Sequence, residues 1–233
     1  MFIPFGTRED RPKRRFPFIT ILLVLLNIAV FAYETYMLQT YSDAQLAHFF
    51  NQYAVIPANV TDGTPLGIGL LTSMFLHADL LHLLFNMLFL LPFGDNVEDR
   101  LGHFRYLAFY LLCGLAASLL HVFFDPSGTI PALGASGAIS GVLAGYLMLY
   151  PRGKVKGLLF LGIILIPKIE IPAMAFIVFW FLLQLASGIA AIGVASEGGG
   201  VAFMAHVGGF IAGLLLLPLL KLRERTHGLA YDG

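Results

Sequence analysis

Long apolar stretches recur along this chain, separated by short polar links. A bilayer-spanning helix needs about 20 mostly apolar residues. The stretches run from Phe16 to Leu38, Leu80 to Phe93, Tyr106 to Phe124, Ser136 to Tyr150, Ile171 to Val194 and Ala202 to Leu220. In hydrocarbon every backbone N–H and C=O must be bonded within the protein, which leaves helices or closed barrels. Composition points the same way. Of 233 residues, 58% are apolar and 12% are charged, against roughly 45–50% and about 25% in an average soluble domain. A disordered chain, a coiled coil and an ordinary soluble domain are excluded. The expected fold class is an all-α membrane protein, a bundle of six transmembrane helices over residues 16–222. A cytoplasmic N-terminal segment (1–15) and a cytoplasmic tail (223–233) flank it.

The links carry information too. The first stretch is too long for a signal-peptide core and no small-x-small cleavage site follows, so it reads as a retained helix. Leu46, Phe49, Phe50 and Tyr53 suggest a short amphipathic helix lying at the interface. Gly94 to Arg100 reads as a polar turn. The apolar run Gly157 to Ile166 is too short to span and is broken by Pro167, so it reads as interfacial or re-entrant. With the N-terminus inside, all 14 Lys and Arg fall on one side. The loops on the other side carry Asp43, Asp62, Asp125 and Glu197. Lys and Arg are retained on the cytoplasmic side, so this separation supports six helices. It places both termini in the cytoplasm of a cell whose plasma (inner) membrane holds the chain. The formal net charge of zero gives no basic field, and no nucleic-acid partner is expected. The lipid bilayer is the expected surroundings.

Polar groups inside hydrocarbon are costly and mark function. His82 and Asn86 lie in the second helix, Ser136 at the start of the fourth, and His206 in the sixth. Helices two, four and six all run from outside to inside, so the four residues share one depth below the outer surface. His82 and Asn86 are four apart and share a helix face. Gly137, Gly141 and Gly145 form one stripe of small residues, and Gly209 and Gly213 a second. Such stripes let helix backbones approach closely. Packing through them would bring Ser136 to His206. A serine beside a histidine is the minimum for an activated oxygen nucleophile. The free N–H groups at the start of the fourth helix, with His82 and Asn86, could face an oxyanion. Other motifs are absent. Gly134-Ala-Ser-Gly-Ala138 departs from G-x-S-x-G, and His77 and His82 are five apart, not the H-E-x-x-H of zinc proteases. No metal or other cofactor is expected.

These residues resemble those of the rhomboid intramembrane serine proteases. The matching pieces are His77-Ala-Asp-Leu-Leu-His82-Leu-Leu-Phe-Asn86, Gly134-Ala-Ser136-Gly137 and Ala205-His206-Val-Gly-Gly209-Phe-Ile-Ala-Gly213, with Gly94 to Gly102 similar to the family's turn after helix two. The resemblance implies a six-helix rhomboid-like bundle and a Ser–His dyad without an aspartate. It implies Ser136 as nucleophile, His206 as general base, His82 and Asn86 at the oxyanion hole, and no cofactor or metal. The implied substrates are single-span transmembrane proteins, cut near the outer face. Two positions depart from the pattern. Ile68-Gly69 stands where many members have Trp-Arg, and Ser140 where some have a tyrosine stacked on the base. The competing readings are an inactive relative, which would typically lack the serine or histidine, and a small transporter, against which stand the lack of an internal repeat and of a mid-membrane charge.

Overall fold

A computed structural model of the chain describes residues 2–9, 13, 15–62, 68–161, 164–191 and 202–221. The Gly198 to Gly200 link, Glu197 and the tail beyond 221 lie outside the described residues. The elements in chain order are β1 (Phe2–Arg8), α1 (Phe18–Thr40), α2 (Asp43–Tyr53), α3 (Pro57–Thr61), α4 (Gly69–Thr72) followed by a 3-10 turn (Ser73–Phe75), α5 (Leu80–Leu101), α6 (His103–Phe124), α7 (Ser136–Leu149), β2 (Lys154–Leu161), β3 (Ile164–Pro172), α8 (Ala173–Ala191) and α9 (Phe203–Leu220). Helices α1, α5, α6, α8 and α9 are long and apolar enough to cross a membrane. The sixth, α7, is apolar but has 14 residues, a length of about 21 Å against a hydrocarbon core of roughly 30 Å. Every residue from Gly137 to Tyr146 in α7 is buried. A helix so short and so enclosed sits inside the bundle.

Glycine decides how α7 is enclosed. A Cβ on Gly209 would overlap the Gly137 carbonyl, and one on Gly213 would overlap the Gly141 carbonyl. The backbones of α7 and α9 therefore touch. Along the same stripe of α7, a Cβ on Gly137 would lie 2.6 Å from Ala117 Cβ, one on Gly145 would lie 3.1 Å from Phe109 Cζ, and one on Gly141 would collide with Cys113 Sγ. Those three neighbours belong to α6, so α6, α7 and α9 form the centre of the bundle. Phe93, Phe109, Tyr110 and Cys113 are fully buried around it.

One expectation changes. Gly94 to Arg100 is not a turn: α5 continues to Leu101 and ends where Gly102 takes φ 77°. Its polar side chains are spent on other elements. The Glu98 carboxylate, fully buried, accepts from Ile19 N (2.8 Å), Thr20 N (2.8 Å) and Thr20 Oγ1 (2.7 Å). It caps the first turn of α1, which has no acidic residue of its own, and negative charge there also meets the positive end of the helix dipole. Asp99 accepts from Arg15 N at 2.7 Å, and Lys13 pairs with Asp95. Gly157 to Ile166, expected as interfacial or re-entrant, takes the form of a hairpin, parts of β2 and β3. β1 pairs antiparallel with β2, and β2 with β3, in the order β1-β2-β3. Residues 2–8 of the N-terminal segment thus pair with the link between α7 and α8. An open three-stranded sheet leaves unpaired edge groups that hydrocarbon does not tolerate, and its ion pairs (Arg8–Glu170 at 3.4 Å, Lys154–Glu170 at 3.5 Å) suit a watery or headgroup setting.

The amphipathic helix is present as α2, opened by a reciprocal pairing of Ser42 with Gln45. Glu34 received no role from the apolar pattern. It lies inside α1, is 3% exposed, and its carboxylate accepts the His77 backbone N–H at 3.2 Å.

Candidate active site

The site grows from the starts of three helices. Gly134 takes φ 124°, in the left-handed half of the map that favours glycine, and its N–H donates to the Ser73 carbonyl at 2.9 Å. A Cβ here would lie 2.7 Å from His82 Cε1 and 2.8 Å from His82 Nε2, so the loop before Ser136 rests directly on the His82 ring. Asp79 caps α5 by accepting His82 N–H at 2.8 Å, which fixes the turn that carries that ring. Asn86, one turn on, is buried, and its Nδ2 donor has no hydrogen-bond partner. A buried unpaired donor is costly, and here it is the side-chain group available to an incoming oxygen.

Ser136 is the first residue of α7 and His206 lies in the first turn of α9. Ser136 Oγ and His206 Nε2 are 2.7 Å apart. Ser140 is turned away, its Oγ donating to the Ser136 carbonyl at 2.7 Å. The opposite face of the imidazole problem is met from α8. Gln184 Oε1 lies 2.7 Å from His206 Nδ1, and the Trp180 ring centroid lies 5.7 Å from that of His206. Neither residue emerged from the sequence reading. A signal was present, since Gln184 is the one amide of a helix whose other polar side chain is Ser187, and Trp180 is the chain's single tryptophan.

His77 is not part of this pair. It is 3% exposed, with both ring nitrogens unpartnered, and its ring packs against His82 with centroids 5.2 Å apart. Burial above all, and then the neighbouring His82, lower its pKa to about 4, so its ring is uncharged at neutral pH. Beside Ser136 lies a cavity of about 40 Å³, lined by Ser73, Ser118, His121, Gly134 and Ala205 among others. A single water needs roughly 10–15 Å³ on this measure, so the cavity has room for one next to the serine.

The rhomboid domain family matches residues 67–223, a span that holds every residue of this site. The chain belongs to the rhomboid family. Its relatives include Rhomboid protein 1, mitochondrial, of Saccharomyces cerevisiae, 28% identical over 216 residues, covering 91% of this chain and 55% of the relative. RHOMBOID-like protein 1 of Arabidopsis thaliana is 29% identical over 243 residues, covering 93% of this chain and 57% of the relative. Rhomboid protease GluP of Bacillus subtilis is 31% identical over 153 residues, covering 66% of this chain and 26% of the relative. This rhomboid therefore spans about half, or less, of the length of these curated relatives. It is a multi-pass membrane protein, and its short, enclosed α7 carries Ser136 into the bundle at the end where α5 and α9 also begin.

Proposed function

We propose that this rhomboid is an intramembrane serine endopeptidase that cleaves single-span membrane proteins near the outer face of the membrane. The observation that carries the reading is the 2.7 Å approach of Ser136 Oγ to His206 Nε2. In the proposed reaction Ser136 Oγ attacks the scissile carbonyl while His206 Nε2 takes the hydroxyl proton. The same nitrogen then protonates the departing amine, leaving an acyl-enzyme on Ser136. The negative oxygen formed in attack is received by the N–H groups at the start of α7 and by the unpaired Asn86 amide, with His82 beside them. A water from the cavity at Ser136 gives a proton to His206 and attacks the ester carbonyl, and His206 then returns that proton to Ser136 Oγ as it leaves, freeing the new carboxyl end. Nucleophile, base and oxyanion donors all come from the chain, so the reading calls on no cofactor or metal. The retained serine–histidine pair favours a protease over an inactive relative that only binds membrane clients.

The relative named a protease, that of Bacillus subtilis, supports the reaction class. The charge separation supports an orientation with both termini on the side where Lys and Arg are retained, which is the cytoplasm if the plasma membrane holds the chain; the yeast relative is named as mitochondrial, which weakens the plasma-membrane expectation. The test is cleavage of a model single-span substrate by purified protein in detergent, repeated with Ser136→Ala. Cleavage that the variant abolishes is expected. Unchanged cleavage by the variant would remove Ser136 as nucleophile.

A further inference from the structure

We infer that Gln184 is the positioning residue for His206: its amide oxygen fixes the imidazole tautomer that leaves Nε2 free to accept the Ser136 proton. The inference rests on the protease reading above for its consequence, and on hydrogen-bond chemistry for its content. A base can take a proton only at an unprotonated nitrogen. Neutral imidazole carries its one hydrogen on either Nδ1 or Nε2. The Gln184 carbonyl oxygen is an acceptor, so at 2.7 Å from Nδ1 it requires the hydrogen there. Nε2 is then the acceptor, and it is the nitrogen that faces Ser136 Oγ at 2.7 Å.

The geometry of α8 adds a second constraint. Trp180 and Gln184 are four apart and share one helix face. The amide holds the edge of the His206 ring and the indole lies beside its face, centroids 5.7 Å apart and planes inclined at 39°. With Ser140 bonded back to Ser136, this pair on α8 is what α8 and α7 together offer to orient the ring. An amide also suits the depth. A carboxylate in the same place would be a charge inside the bundle, which is expensive without a partner. The amide orients the neutral imidazole without that cost, and stabilises the imidazolium by a dipole alone. The titratable groups around His206 are few. His82 of α5 faces it, His121 of α6 lines the cavity at Ser136, and α8 brings none.

The experiment combines a measurement that needs no turnover with one that does. Nitrogen-15 NMR of histidine-labelled full-length protein reads the His206 tautomer directly. The wild type is expected to carry its hydrogen on Nδ1 at neutral pH, and Gln184→Leu to lose that preference. In proteolysis, Gln184→Leu is expected to lower kcat by about tenfold or more with KM little changed, and to slow fluorophosphonate labelling of Ser136 in parallel. Gln184→Glu restores an oxygen acceptor beside Nδ1, so activity, labelling and the hydrogen on Nδ1 are expected to return toward the wild type. A wild type with its hydrogen on Nε2, the result of an amide turned to donate, would overturn the inference even if the enzyme is active. So would a folded Gln184→Leu with wild-type kcat, labelling and tautomer. A wild type that neither cleaves nor labels would overturn the protease reading instead, and the tautomer measurement would still decide Gln184. Should Gln184→Leu fail to fold, the wild-type tautomer and the tautomer and activity of Gln184→Glu decide alone.

Discussion

Single atoms at the site point to different experiments. Asn86 Nδ2 is buried and bonds nothing in the resting protein, which leaves it free for the oxyanion role proposed above. A donor used only in the transition state changes kcat and not the resting fold. Asn86→Ala is therefore expected to lower kcat on the order of 10²-fold with a small change in melting temperature. A variant that retains full kcat would count against the oxyanion role. The polar residues of the second, fourth and sixth helices were readable as a group because hydrocarbon makes each of them conspicuous, and the two glycine stripes were enough to expect Ser136 opposite His206. Gln184 is equally conspicuous on that criterion. It was missed because an amide lacks acid–base chemistry of its own, and its partner is 22 residues away, across a link whose path no pattern reveals.

Helices are bounded here by tertiary bonds as much as by their own composition. The stretch Gly94 to Arg100 has glycine, two Asp, one Glu and an Arg, which by local rules reads as a turn. It stays helical because Glu98 is committed to the N-terminus of α1 and Asp99 to Arg15. A local reading has no access to partners some 80 residues away. The hairpin β2–β3 was ambiguous for a similar reason, since a short apolar run fits a strand or a buried helix equally, and its pairing strand lies at the other end of the sequence. Glu98 supplies the prediction. Hydrogen bonds to a charged group are worth roughly 1.5–3 kcal/mol each, and removing one partner leaves the buried donors unpaired. Glu98→Ala is expected to lower stability by a few kcal/mol, seen as a large drop in melting temperature, while the fraction that remains folded still labels at Ser136. An unchanged melting temperature would show that the α1 start is held by something else.

For the molecule as a whole, the six apolar helices were legible, because they follow from the bilayer itself. The sheet of β1, β2 and β3 and the internal position of α7 were not, because neither is required by hydrophobicity. The orientation is checked by placing single cysteines at Asp62 and at Lys156 and treating intact cells or sealed vesicles with a membrane-impermeant maleimide. Asp62→Cys is expected to react from the outside and Lys156→Cys only after the membrane is opened. The reverse pattern would invert the topology. The native background for such work is already favourable. Cys113 is the chain's single cysteine and is fully enclosed between α6 and Gly141 of α7. A pair of introduced cysteines, one on α8 and one on α5, can then carry spin labels or a donor–acceptor dye pair without any prior removal of thiols. The separation of those two helices can be followed as a molecular ruler while a substrate enters.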